Sequence, residues 1–187
     1  MRRTIISRLP TGARFMRVIC CIELGYPWIT RGAILALEEI LKPEFSVLEL
    51  GSGGSTIFFA NRCKKVKSYD FSQEWVDKVK NKMGDRNGVE FVCGGFDHIL
   101  KELVKETDEG YDVGMIDIGE DSFLRLTLAE ACMPKIKKRG YLVVDNYASE
   151  GINKLATTGW RVCTFDEIIN RAGVPRVWGG TRILIKQ

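Results

Sequence analysis

The chain has 187 residues, a length that favours a single domain with a sizeable hydrophobic core. Hydrophobic residues make up 45% and charged residues 28%, as is usual for a soluble globular protein, and no apolar run approaches the roughly 18 residues of a membrane-spanning helix. The composition therefore argues against a membrane span, and the six cysteines, which include no CxxC pair, indicate reduced thiols in a cytoplasmic protein. The formal charge of +4 is concentrated near the N-terminus, where the sequence has one acidic residue, Glu23, and five arginines, Arg2, Arg3, Arg8, Arg14 and Arg17.

This basic N-terminus has functional interpretations and a structural alternative. Arginine-rich, acid-poor starts occur in organellar transit peptides and on surfaces that bind nucleic acid or anionic lipid. The alternative is an added helix or strand that packs on the domain. We treat residues 1–27 as a basic extension and residues 28–187 as the core of a single domain.

Short β-rich segments alternate with helix-like segments along the chain. Helices are predicted at 31–41, 54–62, 72–83, 95–107 and 121–133, and strands at 46–50, 66–70, 89–93, 113–117, 141–145, 161–165 and 181–186. Because this alternation requires crossover connections, it produces a mainly parallel sheet with helices on both faces. The segment before the last strand is too short for a crossover helix, so the seventh strand should run antiparallel. The sequence predicts a doubly wound, Rossmann-like α/β fold.

Acidic residues mark the carboxyl ends of the predicted strands. In an open parallel sheet, ligands bind beyond these ends, so the residues there form the candidate site. Four of the first five strands end on or beside a carboxylate. The segments concerned are 49–54, 70–71, 94–97, 117–120 and 145–146.

The segment "ELGSGGST" joins the first strand to a helix. Glycines there permit a tight turn and a close approach of the backbone to a ligand. Asp70 follows 19 positions after Gly51, at the end of the next strand, where a carboxylate can accept hydrogen bonds from a ribose diol. These two features indicate an adenosine-type cofactor. Thr56 replaces the third glycine of the dinucleotide fingerprint, and no lysine stands where a phosphate-binding P-loop needs one, so both phosphate-binding interpretations are weakened.

With these motifs, the chain resembles the class I S-adenosylmethionine-dependent methyltransferases. "LELGSGGST" is similar to the first motif of that family, and "VKSYDFSQEW" is similar to the second. "YDVGMIDIGED" and "RGYLVVDNYA" resemble the segments of its fourth and fifth strands. The resemblance covers about residues 28–147 and continues into the terminal hairpin.

The resemblance implies roles for the residues of the cofactor site. Glu49 would lie near the ammonium of the methionine moiety, and Ser55 or Thr30 near its carboxylate. Asp70 would bind the ribose hydroxyls. The other implied contacts are Gly51, Ser52 and Gly53 beside the methionyl and ribose parts, Phe71 and Phe96 flanking adenine, Asp97 at the adenine amine, and Asp117 as a further cofactor-binding residue. For both phenylalanines, plain core packing is the alternative.

The resemblance extends to small cation-dependent O-methyltransferases of the catechol and caffeoyl-coenzyme A type. Asp117, Asp145 and Asn146 match positions that would hold Mg²⁺, an ion that prefers oxygen ligands and lowers the pKa of a bound hydroxyl. Glu120 stands where those enzymes have a lysine, so Glu120 or a metal-bound hydroxide would act as the base. Alternatively the metal is absent, Asp145 caps a turn and Asn146 satisfies backbone groups. We take Asp117 and Glu120 as the catalytic candidates and the only histidine, His98, as an ordinary helix residue.

The acceptor is the least defined part of the prediction. Trp28, Tyr147, Arg176 and Trp178 are candidate contacts, because exposed aromatic and basic residues hold flat or anionic molecules. We expect methyl transfer to a hydroxyl of a small molecule. The alternatives are an RNA or protein methyltransferase that uses the basic N-terminus, an NAD-binding oxidoreductase, and a non-catalytic binding subunit. The sequence leaves the oligomeric state open.

Overall fold

The structure is a computed structural model that describes residues 22–166 and 180–187 with their side chains. It describes residues 168–171 and 174–177 as backbone. Within these ranges, no helix is long and apolar enough to cross a membrane. Most of the basic extension, and the candidate acceptor contacts Arg176 (side chain) and Trp178, lie outside the described residues.

Helices and strands alternate in the order that the sequence predicts. The helices are α1 (Arg31–Ile40), α2 (Gly54–Ala60), α3 (Gln73–Met83), α4 (Phe96–Lys105) and α5 (Ser122–Cys132), with 3₁₀ turns at Met133–Lys135 and Ile152–Lys154. The strands are β1 (Ser46–Leu50), β2 (Lys65–Asp70), β3 (Val89–Cys93), β4 (Tyr111–Ile116), β5 (Ile136–Asp145), β6 (Trp160–Phe165), β7 (Ile168–Arg171), β8 (Val174–Val177) and β9 (Thr181–Lys186).

Seven strands form one sheet in the order β3-β2-β1-β4-β5-β9-β6. The pairs from β3 to β5 are parallel, whereas β9 runs antiparallel to both of its neighbours, β5 and β6. This arrangement confirms the mainly parallel sheet with an antiparallel last strand. The segment between β6 and β9 contains a separate hairpin of β7 and β8, two strands that the sequence pattern did not predict.

The core lies in two layers, one on each face of the sheet. Val47, Met115 and Val143 pack with α1 and α2 on one face. The neighbouring residues in the same strands, Leu48, Ile116 and Leu142 among them, pack with α4 and α5 on the other. Because alternate residues of a strand point to opposite faces, this pattern confirms that helices cover both sides. By the same alternation, Glu49, Asp117 and Asp145 continue the α1–α2 face at the carboxyl ends of β1, β4 and β5.

Candidate active site

Gly51 begins the glycine-rich loop after β1 and is fixed by the backbone around it. Its φ is +105°, and its N–H donates to the carbonyl oxygen of Tyr69 at 2.7 Å. A Cβ at this position would come within 2.2 Å of the carbonyl oxygen of Asp117. Glycine is therefore required here for a contact between two loops of the chain itself.

Gly53 serves a different purpose in the same loop. Its backbone is extended, and a Cβ here would meet nothing closer than Trp75 Nε1 at 3.8 Å and Ser55 Oγ at 3.9 Å. Gly53 itself is buried, but a methyl group here would make only ordinary van der Waals contacts, so the surrounding protein does not require glycine at this position. A residue without a side chain lets a ligand approach the backbone closely.

Glu49 is the centre of a buried hydrogen-bond network beneath this loop. Its Oε2 accepts from Thr56 Oγ1 and from Ser68 Oγ, both at 2.6 Å, and Thr56 Oγ1 in turn accepts from the N–H of Gly53 at 2.8 Å. The hydroxyls of Ser52 and Ser68 are 2.8 Å apart. Since Ser68 donates its only proton to Glu49, Ser52 must be the donor of that bond. Thr56, at the position of the missing third glycine, thus ties the loop to Glu49.

The Glu49 carboxylate is fully buried and has one oxygen without a partner. Burial raises its pKa from 4.5 to about 7, although the nearby hydroxyls of Ser55, Ser68 and Thr56 oppose the shift. Its Oε1 accepts no hydrogen bond; Ser55 lies close enough to act on the charge but does not meet the geometry of a bond to this atom. Buried polar atoms in proteins nearly always have partners, so this oxygen suits a cationic donor from a ligand.

Asp70 holds the other side of the loop from the end of β2. Its Oδ2 accepts from the N–H of Ser52 and its Oδ1 from the N–H of Ser72, each at 2.8 Å. Burial raises its pKa, while these backbone bonds oppose the rise. Because a carboxylate has about four acceptor sites, both oxygens retain capacity for a ribose diol. Trp75 on α3 also contacts this loop, donating from Nε1 to the Ser52 carbonyl oxygen.

Arg125 is a residue of the site that the sequence analysis missed. Only 7% of it is exposed, and its Nε donates to the carbonyl oxygen of Ile118 at 3.1 Å. Nη2 donates to the carbonyl oxygen of Gly119 and lies 3.5 Å from Asp117 Oδ1. Nη1 donates to the carbonyl oxygen of Asp145 at 3.3 Å. One guanidinium therefore connects the turn after β4 to the end of β5.

Asp145 is also buried and is linked to the start of α1. Its Oδ1 accepts from Thr181 Oγ1 at 2.6 Å, and Thr181 Oγ1 accepts from the N–H of Thr30 at 3.1 Å. Thr30 occupies the N-cap position of α1, but its hydroxyl makes no capping bond and is buried without a partner. Burial raises the pKa of Asp145 to about 6, opposed by the Thr181 hydroxyl, the Arg125 charge and the backbone of Asn146.

The predicted metal ligands fit a divalent cation poorly in this arrangement. Asn146 Nδ2 donates to Asp145 Oδ2 at 2.6 Å, so the side-chain amide of Asn146 is bonded to its neighbour, while Asp145 Oδ1 accepts from Thr181 Oγ1. The guanidinium of Arg125 supplies positive charge beside Asp117. Among the residues described, no group of three or more His, Cys, Asp and Glu side chains could hold a metal ion. The magnesium site stays a prediction, and this geometry does not support it.

Asp117 is more accessible than Glu49, Asp70 and Asp145, with 26% of its side chain exposed. Burial and the charge of Asp145 raise its pKa well above 3.8; Arg125 opposes the shift, and Glu49 and Asp70 add to it. These interactions require the four carboxylates to lie near one another, and among the described residues the Arg125 guanidinium opposes the shift at both Asp117 and Asp145. The edge of the sheet therefore favours a cationic ligand.

The remaining predicted residues divide between core and surface. Phe71 and Phe96 are partly buried against the α4–α5 layer, and the Phe71 ring lies against Gly119. Asp97, His98 and Glu120 are exposed, and Trp28 is 51% exposed. The Tyr147 hydroxyl donates to Asp166 Oδ1 at 2.8 Å, and its ring lies 3.9 Å from the Arg182 guanidinium.

Comparisons with known proteins agree with this architecture. The family model described as "Methyltransferase domain" matches residues 48–147, which include the glycine-rich loop and the ends of β1 to β5. Ribosomal protein L11 methyltransferase of Streptococcus pyogenes is 25% identical over 127 residues, covering 66% of this chain and 38% of its own length. The chain thus spans less than half the length of the curated relatives that it matches.

Two solved structures share the fold. SMU.1697c of Streptococcus mutans, a candidate methyltransferase solved in complex with SAH, has a TM-score of 0.65 at 16% identity, covering 85% of this chain and 99% of that one. A candidate caffeoyl-CoA O-methyltransferase from Staphylococcus aureus has a TM-score of 0.61 at 14% identity, covering 95% and 93%. With the match over residues 48–147, this chain belongs to the methyltransferase-domain family of class I S-adenosylmethionine-dependent methyltransferases.

Proposed function

We propose that this protein binds S-adenosylmethionine at the glycine-rich loop and transfers its methyl group to an acceptor. The observation that carries the proposal is a pair of buried oxygens without partners, Glu49 Oε1 and Thr30 Oγ1. Both belong to residues expected beside the methionine moiety. Glu49 would accept from the ammonium, and Thr30 would donate to the carboxylate. Asp70 would bind the ribose hydroxyls, and the backbone at Gly53, which carries no side chain, would lie beside the cofactor.

The charge of the site supports the same ligand. The bound cofactor supplies a methyl group made electrophilic by the positive sulfonium, so the protein has to align an acceptor and exclude water. Four carboxylates, those of Glu49, Asp70, Asp117 and Asp145, lie near the proposed cofactor position, and among the described residues the Arg125 charge opposes the raised pKa values of Asp117 and Asp145. This surplus favours the cationic S-adenosylmethionine over its product, which has lost the sulfonium charge, and so would assist product release.

We propose a hydroxyl of a small molecule as the acceptor and Asp117 as the base. Asp117 is partly exposed, and its pKa is raised, so its carboxylate accepts a proton more readily than an ordinary aspartate. Glu120 is exposed on the same turn and is the second candidate for the base. We also propose that the boundary between the N-terminal extension and the core lies near residue 28. A cytoplasmic location is a further part of the proposal.

A second candidate acceptor is a macromolecule. It is favoured by the 25% identity to ribosomal protein L11 methyltransferases, although that match covers 38% of their length. An arginine-rich N-terminus, as the sequence has, would bind an RNA or a ribosomal particle through phosphate groups.

Two measurements test these proposals. Calorimetry with S-adenosylhomocysteine and with NAD should show binding of S-adenosylhomocysteine only. Binding of NAD alone would support the oxidoreductase alternative and contradict the proposed methyltransferase function. Transfer of labelled methyl groups should then be measured with catechols, sugars, RNA and ribosomal protein L11. Labelling restricted to RNA or protein would replace the small-molecule acceptor, and cofactor binding without transfer to any acceptor would favour a non-catalytic subunit.

A further inference from the structure

Arg125 lies on the buried stripe of α5, where an apolar residue is expected. Leu128, Ala129 and Cys132 follow it at helical spacing, and all three are fully buried. Placing a guanidinium there costs desolvation energy unless its donors are satisfied. The buried charge of Arg125 therefore requires hydrogen-bond partners for its donors.

Among the described residues, the partners of the Arg125 guanidinium belong to two segments of the chain. Three are in the turn after β4: the carbonyl oxygens of Ile118 and Gly119 and the carboxylate of Asp117. The fourth is the carbonyl oxygen of Asp145, at the end of β5. The planar guanidinium, with donors in a fixed fork, sets the spacing of these two segments, which carry the carboxylates on the acceptor side of the proposed site.

The turn that Arg125 holds also touches the cofactor side. The carbonyl oxygen of Asp117 lies against Gly51, and Gly119 lies against the Phe71 ring. A Cβ added to Gly119 would be 3.1 Å from a carbon atom of that ring. The Asp117 N–H donates to the carbonyl oxygen of Leu50 at 2.8 Å. A displacement of this turn would therefore reach both the glycine-rich loop and the residue after Asp70.

We infer that Arg125 is a positioning residue of the methyl-transfer site: it joins the β4–α5 turn to the end of β5 and thereby holds the cofactor loop and the acceptor-side carboxylates in one arrangement. The inference rests on the proposed function. It predicts that a guanidinium, and not merely a positive charge, is needed, because a lysine ammonium is a compact charge that cannot reproduce the forked contacts with two segments.

The test uses the full chain with Arg125→Ala and Arg125→Lys, and Arg62→Ala as the matched control. Arg62 is also an ion-paired arginine with a backbone contact, 3.1 Å from Glu38 Oε1 and 3.1 Å from the Phe58 carbonyl oxygen, but it lies outside the site. The readouts are melting temperature, the Kd for S-adenosylhomocysteine with and without added guanidinium ion, and hydrogen exchange of the amides at 51–53 and 117–121.

Both Arg125 variants should bind S-adenosylhomocysteine about tenfold more weakly or worse, equivalent to roughly 1.4 kcal/mol. Guanidinium at millimolar concentration should restore part of the affinity of Arg125→Ala and none in Arg62→Ala. Exchange at 51–53 and 117–121 should be faster in both Arg125 variants only.

Unchanged affinity and exchange in folded Arg125 variants would overturn the inference. So would failure of every Arg125 variant to fold while Arg62→Ala folds, since Arg125 would then be a general structural residue. If the wild type does not bind S-adenosylhomocysteine, the proposed function fails; the exchange measurement needs no cofactor and still decides whether Arg125 holds the two loops.

Discussion

Gly51 and Asp117 are in backbone contact: a Cβ at position 51 would lie 2.2 Å from the carbonyl oxygen of Asp117 and 2.6 Å from its carbonyl carbon. The glycine-rich loop after β1 is thus fitted against the turn after β4. The two glycines of this motif differ in their surroundings: a backbone contact within the protein requires Gly51, whereas nothing in the surrounding protein requires Gly53, and we propose that its lack of a side chain lets the cofactor approach.

Substitution of these two glycines by alanine should separate folding from binding. Gly51→Ala combines a positive φ with a backbone clash and should lower the free energy of unfolding by about 2–4 kcal/mol. Gly53→Ala should leave stability nearly unchanged but weaken binding of S-adenosylhomocysteine about tenfold, or 1.4 kcal/mol. Urea unfolding and calorimetry measure the two effects. Equal stability losses in both variants would contradict the assignment.

Glu49→Gln should weaken the cofactor and preserve the loop. Glutamine keeps an oxygen that accepts from Thr56 and Ser68 but loses the charge offered to the ammonium. A hydrogen bond to a charged group contributes about 1.5–3 kcal/mol, so the Kd for S-adenosylhomocysteine at pH 8 should rise roughly ten- to a hundredfold. Glu38→Gln, which removes the surface partner of Arg62, is the control and should leave the Kd unchanged. A Glu49→Gln variant with wild-type affinity would exclude Glu49 from the cofactor site.

The buried Glu49 should also make the unliganded protein less stable as the pH rises. Its pKa in the folded state is about 7 compared with an ordinary 4.5, so the folded state holds the proton more tightly. This contribution to stability is fully present below about pH 4.5 and is lost as the pH rises through 7, up to about 3 kcal/mol. The raised pKa values of Asp145 and Asp117 make stability fall with pH in the same direction. They are present in both the wild type and the Glu49→Gln variant, so they do not affect a comparison of the two.

The measurement is urea unfolding of wild type and Glu49→Gln from pH 5 to pH 8. The difference in unfolding free energy between the two should change over this range, with the wild type losing stability relative to the variant. Parallel pH profiles would mean that Glu49 titrates at its ordinary pH in the folded chain.

Methyl transfer should continue in EDTA. Arg125 supplies positive charge beside Asp117, and the Asp145 oxygens accept hydrogen bonds from Thr181 and Asn146. Rates with Mg²⁺ and with EDTA should therefore agree within about twofold, a difference of roughly 0.4 kcal/mol in activation free energy. Loss of activity in EDTA that Mg²⁺ restores would establish the metal site that Asp117, Asp145 and Asn146 predict from sequence.

Much of the fold could be predicted because its signals are local. Strand and helix periods and the strand-end carboxylates are all visible in short segments, and they position Glu49 and Asp70 correctly at the ends of β1 and β2. The β7–β8 hairpin escaped prediction because its Gly and Pro residues are typical of a loop.

The side-chain network was harder to predict because its partners are distant in sequence. Thr56 was interpreted only as a departure from a glycine motif, yet it links Gly53 to Glu49. Arg125 has mostly backbone carbonyls as partners, and because every residue has a carbonyl, these partners cannot be recognised from the residue types in the sequence. The available signal was its position on the apolar stripe of α5, where a charge requires buried partners.

The bond from the Thr30 N–H to Thr181 joins residues 151 positions apart, and Thr181 also donates to Asp145. Strand β9, which carries Thr181, is inserted between β5 and β6, so this edge of the sheet cannot be completed before the last strand takes its place. Such long-range contacts are slow to form and are absent from partly folded chains. Cofactor should therefore bind only the completed sheet, and its binding should raise the free energy of global unfolding.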